Sequence, residues 1–377
     1  PTDTYIGIKD NLLSFFGRIN YTINDKYLMT FTMRADGSSK FASGNQWGYF
    51  PSLALAWRIS DEAFMKNAQE WLSNLKLRLS IGTAGNNRIP SGSLETTYSL
   101  AGSGDKHIYF NNTSSVVLQR GKNLSNPNLK WETTLTRNIG LDFGLFNNRL
   151  TGTVEVFWKD CNNMLIDVTY PGILGDKAPT ANVGSFKANG WEGTLNWSDK
   201  IGKVSYHVGG TFTYTTNELT DNGGSATIKD GVRSDREGYP LNSVFGLRYC
   251  GKIQTQEELD KYMNRYGENN SIDMPAMLRL GDNMFEDVNR DGKLTEEDFV
   301  YLGTDDPKIS FSFNAGLEWS GFDVSVIFQG VGRRTVWRDG DNSSNVNWRV
   351  PMRSVYMNTT NQSVGNVWSP ENPNAHY

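Results

Sequence analysis

Nowhere in the 377 residues is there a run of about 18 apolar residues, so no transmembrane helix is encoded. Cysteine is almost missing. Cys161 and Cys250 stand far apart in polar stretches, which excludes a disulfide-built scaffold and leaves open whether the two pair. Histidine is as scarce: His107, His207 and His376 are widely separated and no His-Glu-x-x-His is present, so a zinc hydrolase has no ligand set. A Gly-x-Ser-x-Gly elbow and a phosphate loop are also lacking. The stretch Gly82-Thr83-Ala84-Gly85-Asn86-Asn87 is glycine-rich, but no helical pattern follows it, and it reads as the start of a loop. Paired acids such as Asp61-Glu62 and Glu296-Glu297 read as solvated or capping residues rather than a glycosidase pair. These absences argue against an enzyme. Charge of one sign is missing too: 37 basic and 41 acidic residues give a net charge of −4, which does not suit a nucleic-acid partner. No apolar period of 3.5 or 3.6 is sustained, so solenoids and coiled coils are excluded.

What is there is alternation. From Ile309 the apolar series runs Ile309, Phe311, Phe313, Ala315, Leu317, Trp319, with Ser310, Ser312, Asn314, Gly316 and Glu318 between them. After Ser320-Gly321 it resumes as Phe322, Val324, Val326 and Phe328. Period two places each set on its own face of a strand, and the tight turn makes the pair a hairpin. The same pattern occurs at Tyr27–Met33, Leu75–Ile81 and Val204–Tyr214, and further strands are expected near 12–22, 51–59, 133–145, 150–159 and 186–197. That makes about ten strands, many near the roughly 9–11 residues of a tilted membrane-spanning strand. Hydrophobic residues are only 37% of the chain while aromatics reach 12% and glycines number 38. This composition suits a barrel with one apolar face, a polar lumen and aromatics at the interfaces.

The connections alternate in length. Short ones fall near 23–26, 146–149, 198–203 and 320–321; long ones near 37–46, 84–132, 160–185, 217–308 and beyond 331. One short-side connection, 60–73, reads as a brief helix from Asp61 to Trp71, with Asp61 near its cap. Short turns on one rim and long loops on the other are the habit of outer-membrane barrels, periplasmic and extracellular respectively. Trp57, Trp158, Trp191, Trp197 and Trp319 are expected near strand ends, where indoles anchor at headgroup level. The fold expected is therefore an all-β antiparallel transmembrane barrel in outer-membrane lipid, with Arg34, Lys76, Arg78, Glu192, His207 and Glu318 facing the lumen. A secreted β-sandwich, an adhesin or carbohydrate-binding protein, is the alternative, since its strands also alternate. The start, Pro1-Thr2-Asp3-Thr4-Tyr5, has neither a basic nor an apolar leader region. A barrel has to be secreted, so the sequence is expected to begin inside a longer protein.

The long connection 217–308 contains Asp287-Val288-Asn289-Arg290-Asp291-Gly292-Lys293-Leu294-Thr295-Glu296-Glu297-Asp298. Side-chain oxygens at loop positions 1, 3 and 5, glycine at 6 and an acid at 12 match the twelve-residue Ca²⁺ loop. The expected ligands are Asp287, Asn289, Asp291, the Lys293 carbonyl, Thr295 and Asp298, with Leu294 packing inward and Ca²⁺ in a structural role. Asp298 stands where such loops carry a bidentate Glu, and its shorter arm weakens the site or favours a smaller ion. The other reading is an Asp/Asn-Gly turn whose side chains bond only the local backbone.

Several blocks resemble the SusC/RagA-type TonB-dependent receptors of Bacteroidetes. They are Gly17-Arg18-Ile19-Asn20-Tyr21 with Asp25-Lys26-Tyr27-Leu28, then Arg34 to Phe41, Trp47 to Ser52, Leu75 to Gly82, Asn126 to Glu132, Asp287 to Gly303, and Gln329-Gly330. The resemblance runs across nearly all of residues 1–377. It implies part of a 22-stranded plugged barrel working in the outer membrane as an active importer of oligosaccharide or oligopeptide. It also implies a SusD-like surface lipoprotein over the mouth and energisation by TonB-ExbB-ExbD through a plug. About ten strands do not close such a barrel, so the sequence is expected to be an internal fragment. Loop aromatics Trp337, Trp348 and Trp368 are candidates either to stack on sugar rings or simply to pack the loops.

Overall fold

Each alternating segment forms a strand, and the strands pair with their neighbours in chain order. The computed structural model describes residues 10–89, 94, 98–100, 107–110, 113–116, 118–120, 125–167, 180–224, 234–266, 278–336 and 365–375. Among these, ten strands make one antiparallel sheet: β1 (Leu12–Ile23), β2 (Tyr27–Ser38), β3 (Trp47–Arg58), β4 (Leu72–Asn86), β5 (Glu132–Leu145), β6 (Leu150–Asp167), β7 (Thr180–Ile201), β8 (Val204–Asn222), β9 (Ile309–Trp319) and β10 (Phe322–Val331). The short connections are tight turns with left-handed residues at their centres, including Asn24 and Asp25, Asn147 and Asn148, and Ser320 with Gly321 at φ 91°. Turns of that hand match the twist of the strands they join.

Register decides what each face carries. Directly opposed residues share a face, and rows of opposed residues can be followed across the sheet. One row runs Tyr21, Met29, Leu55, Leu79, Ile139, Val156, Trp191, Tyr214, Ile309. The next runs Ile23, Tyr27, Trp57, Leu77, Leu141, Val154, Gly193, Phe212, Phe311. The opposite face is threaded by cross-strand polar pairs, among them Asn20–Thr30 at 2.9 Å, Thr153–Thr194 at 2.8 Å and Thr211–Ser312 at 2.7 Å. The separation has exceptions: Phe16 and Ile327 stand exposed on the polar face, and Arg137 stands on the apolar one, paired with Asp160 at 2.7 Å.

A sandwich would cover the apolar face with a second sheet. Here Phe311, Leu317, Val324 and Phe328 remain 48%, 45%, 61% and 61% exposed. So large and continuous an uncovered apolar surface needs an apolar solvent, and the sandwich alternative falls.

Three strands outrun their hydrophobic pattern. β6, β7 and β8 have 18, 22 and 19 residues, well beyond the roughly 9–11 that a bilayer requires. The surplus lies at the end away from the short turns, where bulges between Cys161 and Leu165 and between Ser185 and Phe186 break the alternation, and Cys161, Ile166 and Leu219 are buried. Trp158 and Trp191 therefore sit in mid-strand, while Trp57, Trp197 and Trp319 lie close to the short-turn ends. The expected helix after Asp61 is instead two short 3₁₀ segments, Ile59–Asp61 and Ala63–Ala68, without a side-chain cap. Arg58, before the first, has no side-chain acceptor, and the carboxylate of Glu62, before the second, is taken up by Tyr27, Lys26 and Trp57.

The chain divides into two compact units. The first holds the sheet: Pro1–Lys229, Asp235–Leu241 and Pro307–Arg333. The second comprises Asp230–Ser234, Asn242–Asp306 and Arg334–Tyr377. In the second, Ser243–Gly246 pairs with Val300–Thr304 and Tyr249–Lys252 with Asn283–Phe285. A helix, α1 (Gln256–Tyr266), lies between, and its Tyr262 and Tyr266 pack with Ile253 and Leu294 into a small core.

Candidate functional site

The six side chains expected to face a lumen all fall on the polar face. Arg34 lies between Phe16 and Phe50 in register, His207 between Ser198 and Gly316, and Glu318 between Ser205 and Asp323. Lys76, Arg78 and Glu192 occupy the middle of the same face.

Lys76 and Arg78 belong to a charge ladder. Arg78 donates to Asp142 through Nε and Nη2 at 2.8–3.0 Å, and its Nη2 also bonds Glu155. Lys76 reaches Asp142 at 3.4 Å, and Asn138 donates to Glu155 at 2.8 Å. The ladder spans β4, β5 and β6. Asp142, Glu155 and Asn138 complete it, and composition gives no hint of them, because their link to Arg78 lies in register across a sequence distance of up to 77 residues. Glu192 is opposite Glu155 and has no ion-pair partner among the described residues. His207 lies over Gly316, where a Cβ would run into the imidazole. Arg34 is held by Asp36 at 2.7 Å.

Two clusters flank this wall within the first unit. At the short-turn side, Glu62 accepts from Tyr27 Oη at 2.7 Å, Lys26 Nζ at 3.1 Å and Trp57 Nε1 at 3.2 Å. The Tyr27 hydroxyl first, then the Trp57 and Lys26 donors, hold the Glu62 carboxyl below its ordinary range. Toward the long connections, Phe41, Phe50, Ile89, Leu129 and Trp131 form a buried cluster. The Trp131 indole donates to the Gln46 carbonyl at 2.9 Å. Three of the sequence blocks quoted above, Arg34 to Phe41, Trp47 to Ser52 and Asn126 to Glu132, thus meet in one small core.

In the second unit, Leu294 is fully buried and Asp298 has no exposed surface. Asp298 accepts backbone N–H groups from Val288 at 2.9 Å, Asn289 at 3.3 Å and Thr295 at 2.9 Å. Asn289 Oδ1 accepts from Asp291 N and Asp291 Oδ1 from Lys293 N, while Thr295 Oγ1 accepts from Glu297 N. Asp287 Oδ2 takes Gly292 N at 3.0 Å and Arg265 Nη2 at 3.2 Å. Burial alone would raise the Asp287 carboxyl, but the Gly292 and Arg290 N–H groups and the Arg265 guanidinium prevail and leave it lowered.

Cys161 and Cys250 are both free. The Trp368 ring covers Gly281 and its indole donates to Gln254 at 3.0 Å, so this aromatic packs its own unit. Trp337, Trp348 and His376 lie outside the described residues.

Comparison with known proteins places these features. The family model for the TonB-dependent receptor-like β-barrel matches residues 1–351. TonB-dependent receptor P26 of Formosa agariphila is 32% identical over 388 residues, covering 99% of this chain and 36% of the relative. TonB-dependent receptor SusC of Bacteroides thetaiotaomicron is 30% identical over 390 residues, covering 96% and 35%. Among solved structures, the RagAB peptide transporter superposes with a TM-score of 0.67 at 25% identity, over 85% of this chain and 33% of that one. The chain thus spans about a third of the length of the relatives it matches.

Proposed function

This chain belongs to the TonB-dependent receptor-like β-barrel family, with SusC/RagA-type relatives, and on that premise we propose that it forms part of the wall of an active importer. The family's barrels lie in the outer membrane, and its members are transporters rather than enzymes. The observation that carries the proposal is the two-sided sheet, greasy along whole rows on one face and charged along the other. The apolar face meets lipid. The polar face lines the conduit, with Arg34, Lys76, Arg78, Glu192, His207 and Glu318 in its wall. The long connections, including 217–308, face outward.

In this reading the intact receptor captures an oligosaccharide or an oligopeptide beneath a SusD-like surface lipoprotein. TonB-ExbB-ExbD then acts on a plug within the whole receptor and lets the cargo pass along the polar wall. Likeness to a peptide transporter supports the peptide, and the general family resemblance supports the glycan.

Deleting the gene and supplying defined oligosaccharides or oligopeptides as sole nutrient tests the proposal. Loss of growth on one class, restored by the intact gene and accompanied by co-purification of a surface lipoprotein, is expected. Unchanged growth on both classes, with no lipoprotein retained, overturns it.

A further inference from the structure

We propose that the loop from Asp287 to Asp298 binds one calcium ion, in which Asp287 Oδ1 is the central ligand. This goes beyond import, and it holds whatever the receptor carries.

The twelve-residue spacing alone fits two structures, a cation loop or a self-bonded turn. Much of the loop's hydrogen bonding suits both, since Asn289 and Asp291 each accept the N–H two residues on. Asp287 separates them. Its side chain is only 2% exposed, yet Oδ1 has no hydrogen-bond partner. A self-bonded turn gives no reason to bury that oxygen, and a buried acceptor left unpaired is destabilising, the more so when it is charged.

The rest of the loop holds the other oxygen of the same carboxylate. That oxygen, Oδ2, is fastened to the Gly292 N–H on the far side of the loop and to Arg265. Oδ1 stays buried and uncommitted, at the first of the alternate loop positions that Asn289, Asp291 and Lys293 continue. Gly292 has φ +83°, the left-handed turn that lets the chain double back there. Asp298 works as a clasp: three N–H bonds commit most of its lone pairs to closing the loop, leaving Oδ2 one free. Leu294 anchors the loop in the core with Ile253, Tyr262 and Tyr266.

The donor set selects the ion. Among the described residues no three His, Cys, Asp or Glu side chains form a ready-made metal cluster. The ligands are instead two carboxylates, an amide oxygen, a main-chain carbonyl and water. Oxygen-only, irregular and part-hydrated coordination suits Ca²⁺, whereas Mg²⁺ demands a compact octahedron. With Asp298 largely committed to the backbone, affinity should fall in the weak range of extracellular sites, a dissociation constant of about 10⁻⁴–10⁻³ M.

The test uses the full receptor in detergent, stripped with chelator and titrated with calcium chloride by calorimetry and equilibrium dialysis. Asp291 is exposed and its side chain accepts only one N–H, so Asp291→Ala should leave the fold intact. Asp287→Asn keeps an acceptor for Gly292 and removes the ligand charge. Wild type should bind one more Ca²⁺ per receptor than either variant, or bind it at least tenfold more tightly, and magnesium chloride should not compete at equal concentration. Heat-modifiable migration of each variant on gels confirms a folded barrel. Equal stoichiometry and equal affinity in the wild type and both folded variants overturn the proposal.

Discussion

Arg78 reaches Glu155 across Gly140, and the glycine is what makes the contact. The three residues lie opposite one another on adjacent strands. A Cβ at Gly140 would stand 3.1 Å from Arg78 Nη2 and 3.2 Å from Glu155 Cγ, inside the ion pair. Gly140→Val should therefore part the two side chains. In a double-mutant cycle with Arg78→Gln and Glu155→Gln, the wild-type background should give a coupling on the order of 1 kcal/mol for this part-exposed pair. The coupling should vanish in the Gly140→Val background. Urea unfolding of the receptor in lipid measures it, and a coupling that persists there would show that the glycine is incidental.

Neighbouring positions on one strand report the two faces. Leu79 lies in the middle of the apolar rows and Ser80, the next residue, on the polar face. Leu79→Lys should cost about 2–4 kcal/mol if its side chain meets lipid between the rims. Ser80→Lys should stay within about 0.5 kcal/mol. Equal costs at the two sites would remove the assignment of lipid and lumen.

The sheet was legible because alternation with a period of two survives without any structure. All ten strands and the short turns at 146–149 and 320–321 follow from the order of apolar residues. The far ends of β6, β7 and β8 were not legible: bulges between Cys161 and Leu165 and between Ser185 and Phe186 shift the register there, and the period-two alternation that marks a strand is lost. Helix α1 was hidden inside 217–308, where Gln256 to Tyr266 offers only Leu259, Tyr262, Met263 and Tyr266 as an apolar stripe. For the proposed wall, alternation alone puts the six charged or polar candidates on one face, and register keeps them together on the polar side of the sheet. Their partners Asp142 and Glu155 were out of reach, because an ion pair across strands depends on register, which one sequence does not state. The segment from Asp287 to Asp298 shows the reverse case. Its spacing was fully visible, but the unpartnered Asp287 oxygen was not.

Glu62 should make stability depend on acid. Hydrogen bonds from Tyr27, Trp57 and Lys26 lower its folded-state pKa. A lowered carboxyl contributes stability that is fully present above its unfolded value and is lost as the pH falls through the folded one. Glu62→Gln should therefore destabilise the barrel most at neutral pH, with the difference from wild type shrinking steadily toward strong acid. A difference that is constant from neutral to acid would show that the carboxylate charge contributes nothing.

Trp131 should hold the outer rim of the sheet together by two separable means. Its ring meets Phe41 at 5.3 Å and Phe50 at 5.4 Å between centroids, and its indole N–H closes the connection between β2 and β3 through Gln46. Trp131→Ala removes both and should cost about 3–5 kcal/mol, as buried aromatic truncations do. Trp131→Phe keeps much of the ring packing and loses the bond to Gln46, a loss of about 1 kcal/mol. Because the cluster joins segments near 39–46, 87–89 and 125–131, the effect should be local. Hydrogen exchange should quicken across those three segments in Trp131→Ala and chiefly around Gln46 in Trp131→Phe, with the Leu79 and Ile139 amides unchanged. Uniform quickening over the whole sheet would instead make Trp131 a support of the barrel itself.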